Sequence, residues 1–231
     1  MKVRKNYLII EQICVLSRPK ANGQKSLRKN KKKFIYLISP IKITNDNFYD
    51  DLENVFKSKK ISFFQLRLKN TEMERKFLTG KKIKKICKKF KVKFLVNDDP
   101  FLAKKLNADG CHLGQKDMSI NKARKILKNK IIGITCHNSI KLAKIAIDNN
   151  ADYIAFGAFN YSKTKKIRYK AKINILHSIK KISNIPIVAI GGINSNNYKK
   201  LLLNKANFLA ISGYIWNNKK YKPSEAIERI K

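Results

Sequence analysis

Short apolar runs recur along the chain from residue 34 onward, and segments with helical periodicity separate them. Eight of these runs have the length and the β-branched or aromatic content expected of buried strands. They are Phe34–Ile38, Ile61–Arg67, Lys93–Asn97, Gly110–His112, Ile131–Thr135, Tyr153–Phe156, Ile187–Ile190 and Phe208–Ile211. The regular alternation of strand and helix predicts an α/β fold with parallel strands.

Several of the intervening helices carry start signals. The sequence Thr71–Glu74 has the form of a capping box and predicts a long basic helix that ends near Phe90. The other signals are Pro100 in the first turn of a short helix between Asn97 and Gly110, Ser119 before a helix over Lys122–Leu127, Ser139 before a helix ending near Asn149, and Pro223 before a last helix to Ile230.

Eight strand–helix units predict a (β/α)8 TIM barrel, in which the active site lies at the carboxyl ends of the strands. A doubly wound open sheet is the alternative arrangement of such units. That fold usually carries a G-x-G-x-x-G turn after its first strand, and none follows Phe34–Ile38 here. The barrel also predicts that polar residues gather where the strands end.

The second strand ends in long polar side chains. Its alternation places Gln65, Arg67 and Lys69 on one side and Leu66 and Leu68 on the other. Polar side chains buried at a barrel mouth need partners, so these groups indicate an anionic, hydrogen-bonding ligand. A solvated edge strand is the alternative interpretation.

Two carboxylates follow the third and fourth strands. Asp98 comes directly after Phe94–Asn97, and Asp117 lies just beyond the strand that contains His112. Carboxylates that leave neighbouring parallel strands at the same end suit Mg²⁺, which takes one or two of them and keeps phosphate and water as its other ligands. The alternative is a helix cap and an unrelated loop carboxylate. His112 has no second His or Cys at metal-binding spacing, which argues against zinc.

Three later loops could bind phosphate. Ser162, Thr164 and Lys165 follow the sixth strand, Gly191-Gly192 ends the seventh, and Ser212-Gly213 follows the eighth. Glycine allows an anion to approach backbone N–H groups. Barrels of this kind often bind phosphate after their last two strands.

The chain is strongly basic. Its 231 residues include 53 Lys and Arg against 15 Asp and Glu, a formal charge of +38. Such a charge raises the hypotheses of a nucleic-acid or membrane partner. Lys, Asn and Ile are raised along the whole sequence, however, which favours a compositional origin. The four cysteines have no paired spacing and indicate reduced thiols in the cytoplasm; they are Cys14, Cys87, Cys111 and Cys136.

Residues 1–33 differ in composition from the rest. The apolar run Tyr7–Leu16 is too short to span a bilayer, and the basic stretch Ala21–Lys33 has little apolar content. We therefore expect a flexible basic extension over residues 1–33 and a barrel domain over residues 34–231. No later segment predicts a membrane span.

In this order, the strand-end motifs resemble the thiamine phosphate synthase family, which includes the related TenI proteins. The resemblance covers nearly all of Phe34 to Lys231. The matching elements are Gln65–Lys69, Asn97-Asp98, Ala108–Asp117, Gly133–Thr135, Ala151–Tyr153, Ser162–Lys165 and Ala189–Ile193.

The resemblance implies a role for each strand-end residue. The pyrimidine diphosphate would be bound by Gln65, Leu66, Arg67, Leu68, Lys69, Asn97, His112, Thr135, Tyr153 and Lys165. The thiazole phosphate would be bound by Ser162, Thr164, Gly192, Ser212 and Gly213, and Mg²⁺ by Asp98 and Asp117. Three positions depart from the family pattern: Thr135 replaces a usual Ser, Ser162 a usual Thr, and Gly213 a usual Ser.

The implied reaction is a transfer in thiamine biosynthesis that joins an aminopyrimidine methyl diphosphate to thiazole phosphate and releases diphosphate. Arg67, Lys69 and Lys165 would stabilise the charge on the departing diphosphate. The substrates would be small phosphorylated molecules, and the protein would have no nucleic-acid or membrane partner. The resemblance leaves open whether the protein forms a homo-oligomer.

Two other functions compete with the synthase. A thiazole tautomerase of the same barrel family could use His137, near the end of the fifth strand, as its acid–base group. A basic nucleic-acid-binding protein is a more distant alternative, because the chain has no recognised motif of that class.

Overall fold

The computed structural model of the chain describes residues 33–161 and 168–231. Eight parallel strands pair in chain order and close into a barrel, with the first strand beside the last. The strands are β1 (Ile35–Ile38), β2 (Ile61–Leu66), β3 (Lys93–Asn97), β4 (Gly110–Leu113), β5 (Ile131–His137), β6 (Tyr153–Phe156), β7 (Ile187–Ile190) and β8 (Phe208–Ile211). The predicted (β/α)8 barrel is confirmed.

Helices follow each strand within the described ranges. They are α1 (Asn47–Lys57), α2 (Met73–Lys89), α3 (Pro100–Lys105), α4 (Ile120–Leu127), α5 (Ile140–Asp148), α6 (Asn174–Ile182), α7 (Tyr198–Leu203), α8 (Gly213–Trp216) and α9 (Pro223–Glu228). Among these helices none combines the length and the apolar character needed to cross a membrane. Residues 1–32, most of the predicted extension, lie outside the described part.

Two of the predicted helix caps form as expected. The hydroxyl of Ser119 accepts a hydrogen bond from the Lys122 amide, and that of Ser139 accepts one from the Leu142 amide at 3.2 Å. Each satisfies a backbone donor that the first turn leaves without a partner.

The predicted capping box at Thr71–Glu74 is wrong. The helix begins at Met73 after Glu72, and no side chain caps it. Thr71 lies one residue before the position that caps the helix, and its hydroxyl donates to the Lys69 carbonyl at 3.1 Å. The loop conformation at the end of β2 therefore overrides the local helix signal.

The apolar core has two layers. Inside the barrel, alternate strand residues form a compact cluster: Tyr36, Ile38, Phe63, Leu95, Ile131, Tyr153, Ala155, Val188, Phe208 and Ala210. The intervening residues pack outward against the helices in a larger cluster. The period of two in each strand therefore separates barrel interior from helix interface.

At the amino ends of the strands, one hydrogen bond recurs three times. The side chain just before an even-numbered strand accepts from a backbone N–H of the preceding odd-numbered strand. The pairs are Asp109 with Phe94 (2.9 Å), Asp152 with Ile132 (2.8 Å) and Asn207 with Ile187 (2.9 Å). Each bond satisfies a backbone donor at the barrel bottom and fixes the pairing of two strands.

The carboxylates of this group also meet cations. Lys93 lies 2.9 Å from Asp109, and Arg124 lies 2.7 Å from Asp152, whose side chain is only 1% exposed. A buried carboxylate is tolerated only when it is paired and hydrogen-bonded, and Asp152 meets both conditions. The barrel bottom is thus closed by fully partnered polar groups.

Candidate active site

The carboxyl end of β2 divides its side chains as the alternation predicted. Gln65 is buried inside the barrel and donates from its amide to Asn97 Oδ1. Leu66 and Leu68 are buried in the outer cluster instead. Their side chains therefore face the helices, and any contact with a ligand in the barrel mouth would have to come from their backbone.

Arg67 and Lys69 supply positive charge to the mouth. The backbone N–H of Arg67 donates to the hydroxyl of Ser39 at 2.8 Å, which ties the end of β2 to the end of β1. Lys69 is half exposed and donates to Asp98 Oδ2 at 2.5 Å. Ser39 was not predicted as a site residue, because it lies in a loop without a charged neighbour.

Asp98 has an unusual backbone conformation, with φ of +64°. Its N–H donates to the His112 carbonyl at 2.8 Å, so the end of β3 is bonded to the end of β4. A left-handed conformation is uncommon outside glycine, although Asp and Asn tolerate it best. Such conformations concentrate at functional sites, and here the turn directs the carboxylate toward Lys69.

The two predicted metal ligands lie together. The carboxyl groups of Asp98 and Asp117 are within hydrogen-bonding reach of each other, and Asp117 Oδ2 also accepts from the Gly114 N–H at 2.6 Å. Burial raises the pKa of Asp98, but the bonds from Lys69 and Asp117 outweigh burial and lower it overall. The pKa of Asp117 is raised by burial and by the neighbouring Asp98.

This donor set fits a hard divalent cation. Two carboxylates in contact repel each other when both are ionised, and a cation between them removes that repulsion. Within residues 33–161 and 168–231, no group of three or more His, Cys, Asp or Glu side chains could hold a metal. A metal bound by Asp98 and Asp117 would therefore need substrate or water oxygens as further ligands, as Mg²⁺ commonly does.

His112 lies inside the barrel, below the carboxylates. Its Nδ1 is 2.8 Å from the Tyr153 hydroxyl, and its Nε2 is 2.8 Å from the Thr135 hydroxyl. Burial lowers the pKa of His112 to about 4, and the charge of Arg67 acts in the same direction against the opposing effect of Asp98. The imidazole is consequently neutral at neutral pH.

Tyr153 was predicted to line the pyrimidine pocket, but only 1% of the residue is exposed. Its hydroxyl is 2.8 Å from the hydroxyl of Tyr36, a residue that sequence analysis missed. Nothing in β1 indicates this role, since Tyr36 lies in an apolar run and its partner is 117 positions away. Tyr153 therefore supports His112 from beneath the mouth.

The end of β7 is shaped by glycine. Gly192 has φ of +60°, and a Cβ added to it would lie 2.0 Å from the Tyr161 carbonyl oxygen. The loop after β6 crosses so closely that no larger residue fits there. Ser162, Thr164 and Lys165 follow that crossing directly but lie outside the described residues, so their predicted roles stay predictions.

The end of β8 also reaches β1. The Ser212 hydroxyl donates to the Ser39 carbonyl at 3.1 Å, and Gly213 begins the short helix α8. Ser39 therefore connects the predicted phosphate turn after β8 with Arg67 at the end of β2. These contacts join the carboxyl ends of β8, β1 and β2.

His137, the acid–base candidate of the tautomerase hypothesis, ends β5 with φ of +53°. Its ring stacks on Tyr169 with 4.2 Å between the ring centroids. It is thus covered on one face by the return of the loop after β6.

The three described cysteines, Cys87, Cys111 and Cys136, are buried free thiols. Burial raises the pKa of Cys136 to about 12. A buried thiol that stays protonated is a poor nucleophile, so Cys136 acts as a packing residue.

A closed parallel barrel with cationic, amide and carboxylate groups at the carboxyl ends of its strands defines the class of this protein, a (β/α)8-barrel enzyme. The sequence profile described as thiamine monophosphate synthase matches residues 35–215. The chain belongs to this family.

Individual relatives agree with that assignment. A thiamine-phosphate synthase of Pelagibacter ubique is 72% identical over 207 residues, which are 89% of this chain and 100% of the relative. A thiamine-phosphate synthase of Nitrosomonas eutropha is 40% identical over 153 residues, covering 66% of this chain and 72% of the relative. The predicted family resemblance and the predicted transferase activity are confirmed by these relatives.

The fold agrees with solved structures. A thiamine phosphate pyrophosphorylase from Pyrococcus furiosus superposes with a TM-score of 0.76 at 25% identity, covering 88% of this chain and 96% of the other. A 3-hexulose-6-phosphate synthase superposes with a TM-score of 0.61 at 15% identity, covering 85% of this chain and 98% of the other, and shows the likeness of the barrel alone.

Proposed function

We propose that the protein joins 4-amino-2-methyl-5-(diphosphooxymethyl)pyrimidine to thiazole phosphate, forming thiamine phosphate and releasing diphosphate. The observation that carries this proposal is the convergence of Arg67, Lys69, Asn97, Asp98 and Asp117 at one mouth of a barrel from this family. Together these groups offer positive charge, an amide and a carboxylate pair, which is the set that an anionic diphosphate and its counter-ion require.

In the reaction, the bond between the pyrimidine methylene carbon and the diphosphate oxygen breaks, and the thiazole nitrogen forms a new bond to that carbon. The electron pair leaves with the diphosphate, and the amino-pyrimidine stabilises the carbon from which it departs. The protein's task is to stabilise the negative charge on the leaving group and to align the nucleophile. No protein nucleophile takes part.

Arg67 and Lys69 are the described cations suited to the diphosphate. Arg67 is held by its backbone bond to Ser39, so its guanidinium projects from a fixed strand end. A guanidinium can bind two phosphate oxygens at once, whereas an ammonium acts as a point charge. Lys165 is proposed as a third cation, from the loop after β6.

Asp98 and Asp117 are proposed to hold Mg²⁺, which would neutralise part of the diphosphate charge. Lys69 donates to Asp98 in this structure and keeps that carboxylate ionised. Asn97, with its Oδ1 bonded to Gln65, keeps its amide N–H groups for the mouth.

The loops after β6, β7 and β8 are proposed to bind the thiazole phosphate through Ser162, Thr164, Gly192, Ser212 and Gly213. The Gly192 backbone allows the close approach of a phosphate. Because the Ser212 hydroxyl already donates to the Ser39 carbonyl, it can reach a phosphate only by exchanging that bond.

We assign the partners by the same chemistry. The substrates are small phosphorylated molecules, and the basic surface is proposed to be compositional, without a nucleic-acid partner. The buried free thiols support a location in the reducing cytoplasm. A homo-oligomer remains compatible with the described surface.

The test is to mix both substrates with the full-length protein and Mg²⁺ and to detect thiamine phosphate by mass. Reactions that lack one substrate, or that contain a chelator in place of Mg²⁺, serve as controls. We expect product only in the complete mixture. Absence of product from protein that is folded by circular dichroism would overturn the assignment.

Lys165 and His137 distinguish the synthase from the tautomerase. In the synthase, Lys165→Ala should lower the coupling rate by about 10²–10³-fold, the cost of losing one electrostatic donor to a developing anion. Lys165→Arg should recover only part of that loss. His137→Ala should have a much smaller effect on coupling. The reverse order, measured as thiazole isomerisation, would favour the tautomerase.

A further inference from the structure

A line of hydrogen bonds runs through the interior of the barrel to its mouth. It joins the hydroxyl of Tyr36 to that of Tyr153, Tyr153 to His112 Nδ1, and His112 Nε2 to the hydroxyl of Thr135, each over 2.8 Å. Tyr36, Tyr153 and His112 are buried, whereas Thr135 is partly exposed at the end of β5. The line therefore has a closed end at the buried Tyr36 and an open end at Thr135, which reaches the mouth.

The closed end sets the direction of the bonds. Tyr153 is the only partner of the Tyr36 hydroxyl among the described residues, so the Tyr36 proton is satisfied only if Tyr36 donates to Tyr153. Tyr153 must then donate its own proton to His112 Nδ1, which is the acceptor left for it among the described residues. A neutral imidazole with an accepting Nδ1 carries its proton on Nε2 and donates it to Thr135.

The opposite direction leaves a buried donor without an acceptor. If Thr135 donated to Nε2, His112 would donate to Tyr153. Only one of the Tyr36 and Tyr153 protons could then lie in the bond between the two hydroxyls, and the other proton would have no partner. An imidazolium, which donates at both nitrogens, has the same consequence. Leaving a buried donor unsatisfied costs enough free energy to select one direction.

We propose that Tyr153, with Tyr36 bonded behind it, is a positioning residue that holds His112 as the Nε2–H tautomer and so turns the proton of the Thr135 hydroxyl into the mouth. Thr135 receives one bond from His112 and has its own proton free to donate. This inference rests on the proposed function, because the acceptor for that proton is an oxygen of the diphosphate. Thr135 thus acts as a fixed donor to the leaving group.

A glycine makes room for this arrangement. Gly133 pairs with His112 on one side and with Tyr153 on the other. A Cβ added to Gly133 would lie 1.8 Å from Tyr153 Cζ, so the phenol ring lies across the glycine on its way to His112. The Tyr153–His112 bond therefore depends on a position where no other residue fits without moving that ring.

The first test reads the tautomer directly in the full-length protein. Imidazole ¹⁵N chemical shifts distinguish the two neutral tautomers, and the chain has only three histidines, so the His112 signals can be assigned by their absence in His112→Gln. We expect the Nε2–H tautomer at neutral pH. The Nδ1–H tautomer would overturn the proposal, and this result does not depend on whether the protein couples its substrates.

The second test follows the effect of each bond on coupling. Thr135→Val, which removes the hydroxyl at nearly constant shape, should lower kcat by about 10²-fold if Thr135 donates to the developing anion. Thr135→Ser keeps the donor and should recover most of the kcat that Thr135→Val loses. Tyr153→Phe should lower kcat by about 10-fold, since loss of one hydrogen bond weakens the tautomer preference without abolishing it.

Tyr36→Phe is the matched control. Without Tyr36, Tyr153 still has a proton to place on Nδ1, so the direction survives and the loss should be smaller than in Tyr153→Phe. In the Thr135→Val background, Tyr153→Phe should cause no further loss, because its effect passes through the Thr135 hydroxyl. A loss of equal size in both backgrounds would show a merely structural role and overturn the proposal.

Discussion

The two ends of the barrel use aspartate in opposite ways. At the bottom, Asp109 and Asp152 each accept from a backbone N–H and pair with a cation. At the mouth, Asp98 and Asp117 are directed at each other, and Lys69 is the cation paired with Asp98. The bottom carboxylates are satisfied by the protein alone, whereas those of the mouth repel each other whenever both are ionised.

This difference shows how structural carboxylates can be distinguished from candidate metal ligands within one stretch of sequence. Asp98, Asp109 and Asp117 lie within twenty residues of chain, and all three belong to elements that resemble the family. Their roles differ because their positions in the fold differ: Asp109 lies where a strand begins, and the other two lie beyond the points where strands end. The amino ends of the strands thus carry carboxylates that stabilise the fold, and the carboxyl ends carry those that serve the reaction.

The largest effect is expected from Asp98→Asn. Asparagine tolerates the positive φ of this position but removes the charge, so coupling should fall by about 10²–10³-fold. The melting temperature should change by no more than about 4 °C. Steady-state kinetics at saturating Mg²⁺ and a thermal scan check both expectations, and unchanged kinetics would refute the metal assignment.

The converse effect is expected from Asp152→Asn at the bottom. The free energy of unfolding should fall by about 3 kcal/mol, because Arg124 and the backbone of β5 lose a buried carboxylate. Coupling by the folded fraction should stay close to that of the unaltered protein. Asp109→Asn is the matched control, since its side chain is 35% exposed and should cost less than about 1 kcal/mol. Urea unfolding measures both variants, and equal losses would contradict the comparison.

The pH dependence of stability should reveal His112. Its pKa is about 4 in the folded protein and close to 6.5 when unfolded, so the unfolded chain binds the extra proton between these values. The contribution of His112 to the free energy of unfolding is fully present above pH about 6.5. It falls by about 3 kcal/mol in total as the pH drops from about 6.5 to about 4. Unfolding of the protein and of His112→Asn should therefore diverge across this range. Parallel curves would contradict the buried neutral state.

The smallest effect is expected from removing residues 1–32. A chain that begins at Lys33 keeps the carbonyl that accepts from the Ser62 hydroxyl at 2.9 Å, which is the first described contact of the domain. Its coupling kinetics and melting temperature should match those of the full chain. A large loss of either would show that the basic extension packs on the barrel.

Much of the fold could be predicted from the sequence, because the strands are short apolar runs separated by helical periodicity. Ser119 and Ser139 also give correct helix starts, since their hydroxyls need only a neighbouring turn. The capping box at Thr71–Glu74 failed because the helix begins one residue later than the motif requires, after Glu72. A cap signal therefore succeeds only where the helix begins directly after the residue that carries it.

The site was predictable only in part. Alternation placed Gln65 inside the barrel, but it could not show that Tyr153 is buried beneath His112 rather than exposed in a pocket. Tyr36 was missed because its role depends on partners brought together by barrel closure. Such contacts carry no signal within a short stretch of sequence.

The recurring bond at the barrel bottom has a consequence for how the protein opens. Asp109, Asp152 and Asn207 tie β3 to β4, β5 to β6, and β7 to β8, so the three strand pairs form natural cooperative units. The amide protons of Phe94, Ile132 and Ile187 should then exchange with solvent only when a whole pair separates. Hydrogen exchange would then resolve this part of the barrel into steps that each open two paired parallel strands together rather than a single strand.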